Sequence, residues 1–332
     1  MIKHHDAGDG KSLVSIIVRT CAGRGRLLME CLRSIDAQDY RKIEIVVVED
    51  GSAEAKACVE RFLANTDLAI QYHSIDKAGR CRAGNKGLES ASGSLMNFLD
   101  DDDQFYPNHV GLLEAKLRSR PDLVAAYSQA LEVPISFQSL DPLVYTEQPG
   151  IPFRGGAFSL GRLWCQNFLP IQSVMFRREL FLRHGGFDLE LDRLEDWNLW
   201  IRYFSTGNAE FIDKVTSFFR VPISSRDQLQ RNAEIDSYYP LAVQKQREVF
   251  DQMPDGRREA LAREIDNFRL TQISIPSGVR QWINGNPFYR SIVIGSMAFA
   301  KRVVKFLRRT IAMAIWPKGD IVRIPRRKKV SW

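Results

Sequence analysis

From residue 13 to residue 127 the chain alternates short β-branched runs with amphipathic stretches, and this alternation limits the fold more than any other feature. Leu13 to Val18 (LVSIIV) and Ile43 to Val48 (IEIVVV) read as buried strands, followed by weaker or shorter ones at Leu68 to His73, Leu95 to Leu99 and Leu123 to Tyr127. Arg26 to Ala37 puts Leu27, Leu28, Cys31, Leu32 and Ile35 on one helical face, and the end of Gly79 to Ala91 and Val110 to Arg118 also read as helical. The turn Glu49-Asp50-Gly51-Ser52 offers Ser52 as a cap for the next helix. Strands separated by helices build an α/β fold: a doubly wound, mostly parallel sheet with helices on both faces. Ligands of such sheets bind beyond the carboxyl ends of the strands. Both acidic clusters of this half, Glu49-Asp50 and Asp100 to Asp103, fall at such ends.

Residues 131–170 contain five prolines and read as irregular, a mobile loop or acceptor-side insertion. Ile171 to Phe176 reads as a strand, Leu194 to Phe204 as a helix, and residues 227–270 as two polar helices joined near Pro254-Asp255-Gly256. The chain has 332 residues, enough for two structural units, and 26% charged residues, ordinary for a globular protein. Five cysteines with no C-x-x-C pair exclude a disulfide framework or a zinc site and suit a reducing cytoplasm. Residues 1–12 form a polar tail without a signal peptide, and no apolar run is long enough to span a bilayer.

The net charge of +7 is uneven: residues 287–332 hold twelve basic residues against Asp320 alone, so the remainder sums to −4. Lys301, Arg302, Lys305, Arg308 and Arg309 recur at helical spacing among apolar residues, and Arg326 to Lys329 add a cluster. One reading lays residues 288–332 on an anionic membrane surface, each charge worth about 1 kcal/mol there. The other packs the same helix on the protein with a solvated face. No RNA-binding motif or helix-turn-helix accompanies the charge, so nucleic acid is not an expected partner.

Three clusters carry chemistry. Asp100-Asp101-Asp102-Asp103 either binds a hard divalent cation, Mg²⁺ or Mn²⁺, or makes a solvated acidic turn before a helix. It is not an EF-hand, which needs Gly and Glu at fixed later positions. Glu195-Asp196, beside Trp197 and Trp200, is either a desolvated general base or an ordinary pair of acids at a helix start. Gly79 to Gly87 (GRCRAGNKG) is a basic, Gly-rich helix opening that can hold a diphosphate, although it lacks the ending of a Walker A loop. Trp197, Trp200, Tyr203 and Phe204 read as core, with Trp197 placed to stack on an acceptor.

Taken in order, S-I-I-V-R-T at 15–20, V-V-V-E-D-G-S at 46–52, A-G-N-K-G at 83–87, F-L-D-D-D-D at 98–103 and E-D-W at 195–197 resemble the family 2 glycosyltransferases, inverting enzymes of the GT-A fold that use nucleotide sugars. The resemblance implies a catalytic domain over residues 13–222, followed by a helical extension at 223–275 and the basic amphipathic tail at 276–332. It implies that Thr20, Glu49 and Asp50 line the base and ribose pocket and that Asp100 and Asp102 form the D-x-D pair, Asp100 toward the ribose and one or both on the metal. Arg80, Arg82 and Asn85 belong to the donor site, and Asp196 is the base, supported by Glu195. The expected donor is UDP-linked and the expected acceptor a cell-surface glycan or lipid-linked precursor. With the basic tail as its anchor, the expected location is cytoplasmic and peripheral, on the inner face of the plasma membrane.

Three departures stand out. Gly84 replaces the arginine common in the third motif, leaving Arg80 or Arg82 to bring that charge. Pro222 stands where a metal-binding histidine is often found. Gln228-Leu229-Gln230-Arg231-Asn232 lacks the Trp of processive synthases. A nucleotidyltransferase on a related sheet and a catalytically degenerate membrane-bound scaffold are the rival readings.

Overall fold

The structure, a computed structural model, describes residues 10–272. The basic tail and its membrane reading, and residues 1–9, lie outside them. Strands β1 (Val14–Cys21), β2 (Ile43–Asp50), β3 (Ala69–Ile75) and β4 (Leu95–Asp100) pair in parallel in the order β3-β2-β1-β4. All eight residues of β2 are buried, which is why it reads as a continuous apolar run: helices cover both faces of a parallel strand. Helices α1 (Gly25–Asp36), α2 (Lys56–Leu63) and α3 (Arg80–Ser90) connect these strands in turn. The apolar face expected for α1 is buried, Leu27, Leu28, Cys31, Leu32 and Ile35 included.

The second half of the sheet is mixed. After β5 (Gln104–Phe105) and α4 (His109–Ser119) comes β6 (Ala125–Leu140), then β7 (Leu143–Glu147), β8 (Ile151–Pro152), α5 (Leu160–Cys165), β9 (Val174–Arg177), α6 (Arg178–His184), α7 (Glu195–Phe204) and β10 (Ala209–Pro222). The full order is β3-β2-β1-β4-β9-β6-β10-β5, with β7 and β8 pairing antiparallel to β6. Strand β9 is antiparallel to both β4 and β6, so it reverses the sheet at the middle, while β10 runs parallel to β6. Helices α8 (Ser225–Asp251) and α9 (Asp255–Gln272) follow, joined where the sequence places the break. The chain divides into two compact units at Glu264/Ile265. No helix among the described residues is long and apolar enough to cross a membrane.

Three local expectations change. Residues 131–170 are not irregular: β6 continues through Pro134 to Leu140 because Val133 and Ile135 alternate inward, and the Pro134 carbonyl still accepts from the Gln148 amide at 2.9 Å. Of Ile171 to Phe176, only Val174 onward is strand; Ile171–Ser173 is a 3₁₀ turn closed on the Pro170 carbonyl. Ser52 does not cap α2. The N-cap, Ala55, has no side-chain cap; in the turn before α2 the Glu49 carboxylate accepts from the amides of Glu54 (3.1 Å) and Ala55 (2.9 Å), and Ser52 Oγ accepts from the Glu54 amide at 3.4 Å.

Helix α3 lies unusually close to the sheet because Gly87 has no side chain. A Cβ there would stand 2.2 Å from Ile17 Cγ2 on β1, so the helix would have to lift. Gly87→Ala is expected to cost about 1–3 kcal/mol, the usual penalty of overpacking, read as a lower urea midpoint with an unchanged slope.

Candidate active site

The carboxyl ends of β1, β2 and β4 open into a cleft of about 1590 Å³, closed on its other sides by the segment 165–172, the start of α7, the end of β10 and the first half of α8. Asp102 and Asp196, 94 residues apart in the chain, line the same cleft. So do Thr20, Asp50, Arg80, Asp100 and Glu195.

The aspartate run is held open by arginines. Arg19, next to the end of β1, donates from Nε and Nη2 to the two oxygens of Asp100 at 2.7 and 2.8 Å, and its Nη1 lies 3.4 Å from Glu195 Oε1. Burial disfavours the charged form of Asp100, yet the Arg19 charge and hydrogen bonds outweigh it and hold its pKa below the usual carboxylate value. Arg24 grips Asp101 at 2.7–2.8 Å and reaches Asp102 Oδ2 at 2.8 Å. Thr20 donates to Asp101 at 2.6 Å. Burial still pushes Asp101 up to about 6, the Asp102 charge adding to it against the Arg24 and Thr20 contacts. Asp103 is raised by burial and by the charges of Asp102 and Asp100; it accepts from the Arg220 amide at 3.2 Å. The Arg220 guanidinium in turn donates to the Asp102 carbonyl at 2.9 Å.

On the far wall, Glu195 is buried between Arg19 and Arg80, the latter 3.5 Å away. Asp196 is half-buried at the first turn of α7. Its carboxylate accepts from the Trp197 amide at 2.7 Å and from Asn167 Nδ2 at 2.9 Å. Burial and then the Glu195 charge outweigh these two donors and raise Asp196 to about 7.

Three of the expected donor-site residues stand elsewhere. The Glu49 carboxylate is fully buried, accepting from the Glu54 and Ala55 amides in the turn before α2 and from Tyr72 Oη at 2.5 Å, and it does not line the cleft. Asn85 is engaged with both backbone groups of Phe187, and Arg82 is exposed on the outer side of α3. Asp50 does line the cleft, although it also receives the Ala78 and Gly79 amides and Lys77 Nζ. Those contacts outweigh burial and keep its pKa low. Trp197 is 2% exposed, with its indole N–H on the Leu163 carbonyl at 2.6 Å, so it is core rather than an acceptor platform.

Of the two arginines expected to bring the charge that Gly84 does not, Arg80 lines the cleft and Arg82 does not, and Arg19 adds a further guanidinium there. A Cβ on Gly84 would meet the Phe187 ring at 2.4 Å, so the missing side chain leaves room for that ring, which stands 5.4 Å from the guanidinium carbon of Arg19. An arginine interrupting the apolar run of β1 was the available signal for it. Arg220 is announced only by the sheet pairing of β10, and Asn167 by nothing in its neighbourhood.

The oxygen-only donor set fits a hard divalent cation. Asp102 Oδ1 has no hydrogen-bond partner among the described residues, whereas both oxygens of Asp100 are taken by Arg19. No group of three or more His, Cys, Asp or Glu side chains among the described residues can hold an ion by itself. An ion at Asp102 would complete its shell with phosphate oxygens and water, the habit of Mg²⁺ and Mn²⁺ in phosphate chemistry.

A parallel half-sheet whose carboxyl ends open into a cleft, with acidic residues on two of its walls, is the architecture of a GT-A-type fold. Residues 15–156 match the profile of glycosyl transferase family 2. The PGL/p-HBAD biosynthesis glycosyltransferase of Mycobacterium bovis (strain BCG / Pasteur 1173P2) is 30% identical over 217 residues, 64% of this chain and 76% of that protein. The glycosyltransferase GlyA of Streptococcus pneumoniae is 39% identical over 90 residues, 27% of this chain but only 13% of that protein's length. In fold, the chain resembles Staphylococcus aureus TarS residues 1–349 in complex with UDP-GlcNAc, with a TM-score of 0.58 at 16% identity over 93% of this chain and 94% of that one. The chain belongs to glycosyl transferase family 2.

Arg19→Met is expected to destabilise the fold by about 3 kcal/mol, because it leaves Asp100 and Glu195 without their shared partner. Adding Asp100→Asn should recover part of the loss, since the desolvated charge is gone. A double-mutant cycle in urea measures both.

Proposed function

We propose that the protein transfers one sugar from a nucleotide-sugar donor to an acceptor hydroxyl with inversion, Asp196 acting as general base. The observation that carries this reading is the convergence of Asp102 and Asp196 on one cleft, with Asp196 raised to about 7. A carboxylate of that basicity takes a hydroxyl proton far more readily than an ordinary aspartate.

The acceptor oxygen attacks the anomeric carbon from the side opposite the diphosphate. As its proton passes to Asp196, the new C–O bond forms, the bond to the diphosphate breaks, and the electron pair leaves with the nucleoside diphosphate. Asp102 would hold a divalent cation, which when bound offsets charge on the leaving diphosphate. Arg80, on the cleft wall, faces that anionic group, and Asp50 and Thr20 border the nucleoside pocket. Arg19 and Glu195 position the acids of the two walls relative to each other. A UDP-linked donor agrees with the ligand named for the TarS structure, and a surface-glycan or lipid-linked acceptor with the biosynthetic name of the mycobacterial relative. The 276–332 tail would keep the enzyme at an anionic membrane face, where such acceptors sit.

Asp196→Asn should lower turnover by about 10²–10⁴-fold while donor binding, followed by thermal shift, is retained. In the parent chain kcat/KM should rise with pH along a limb near 7, because only the deprotonated base is active. Glu195→Gln removes a neighbouring negative charge and moves the limb to lower pH. Asn167→Ala removes a donor that favours the carboxylate and moves it higher. A limb that stays in place in both variants would assign the base elsewhere. Turnover should also vanish in EDTA and return with Mn²⁺ or Mg²⁺.

A further inference from the structure

Helix α8 supplies the cleft wall that faces the start of α7, and its contribution includes an aromatic surface with no role so far. Tyr239 is 47% exposed and lines the cleft. Its ring stacks on Trp197 with centroids 5.9 Å apart and planes 29° from parallel. Trp197 is the residue after Asp196 and is fixed from below by the Leu163 carbonyl. Pro240 follows Tyr239 inside the helix, where it restricts the backbone just past the ring. The result is a flat apolar face, backed by a buried indole, beside the acid that receives the proton. Tyr238, half-buried, lines the same wall.

We propose that the open face of Tyr239 is the acceptor platform, on which a pyranose ring lies by its C–H face with a hydroxyl directed toward Asp196. This rests on the glycosyl-transfer reading and adds the acceptor's chemical class, a pyranoside. A rigid aromatic ring offers large apolar area at little entropic cost, which suits the C–H face of a sugar. Fixing the ring against the residue next to the base limits where the acceptor oxygen can stand, and rate depends steeply on that placement.

Saturation-transfer NMR on the full chain tests the proposal, with methyl β-D-glucopyranoside and methyl α-D-mannopyranoside as probes and glycerol as the non-stacking control. The expected result is saturation of the ring C–H protons of at least one pyranoside in the parent chain and in Tyr239→Phe. Tyr239→Ala and Tyr239→Leu should show about a tenfold loss of affinity, the Leu variant retaining bulk against Trp197. Equal saturation in the parent chain and Tyr239→Leu overturns the platform, as does no saturation of either pyranoside in the parent chain. A UDP thermal shift is measured on the same samples. If UDP shifts the parent chain and only the pyranoside result fails, the platform alone is wrong. If UDP shifts nothing, the donor reading falls and the acceptor assignment falls with it.

Discussion

Six carboxylates, Asp100 to Asp103 with Glu195 and Asp196, face or border one cleft, and the arrangement depends on the guanidinium groups between them. Two like charges 4 Å apart repel by about 4 kcal/mol at the effective dielectric of a protein surface, a large fraction of a domain's stability. Arg19 spans the gap between the strand ends and α7, touching Asp100 on one side and Glu195 on the other. Arg24, in the loop before α1, pairs with Asp101 and Asp102, while Arg220 on β10 donates its amide to Asp103 and its guanidinium to the Asp102 carbonyl. The arginines keep Asp100 in its charged form, while burial raises Asp101, Asp103 and Asp196. Among the described residues, Asp102 has an oxygen without a hydrogen-bond partner, and Asp196 combines a raised pKa with a place on the opposite wall of the cleft.

This division of labour explains the fate of Glu49. A carboxylate at the end of a central parallel strand stands where a ligand binds, yet it can equally serve the start of the next helix. Glu49 takes the second course, since the two amides of the turn that leads into α2 and a tyrosine hydroxyl satisfy it in the interior. Asp50, one residue further, points to the opposite side as strand geometry requires and reaches the cleft. Adjacent acids in one strand thus separate into a structural and a site residue by pleat alone.

The half of the fold built from β1 to β4 is legible in the sequence because each element buries a continuous or periodic apolar set, as in β2 and α1. The second half is harder to read. β6 alternates weakly and carries Pro134, which signals a break although the strand continues. The reversal at β9 is a property of pairing and leaves no local mark in four residues. The acidic members of the site stand out in the sequence because clustered carboxylates need a reason. Of their partners, Arg19 is marked only by its interruption of β1, and Arg220 and Asn167 by nothing, because a lone polar residue acquires meaning from what the fold sets opposite it. The misplacement of Asn85 and Arg82 has the same origin: a helix opening indicates a phosphate site without telling which of its faces is turned inward.

Gly87 lets α3 lie close on β1 and Gly84 admits the Phe187 ring against the same helix, so the α3 wall is anchored through close packing that tolerates little change. The opposing wall is made differently. Most residues of α8 before Pro240 are exposed and are tied to the body by a few polar links, such as Arg193 to Glu234 and Gln228 to the Pro222 carbonyl. Evolution can therefore rewrite one side of the chamber while the other stays constrained, so a single peripheral helix is the part whose exchange disturbs the packed half least.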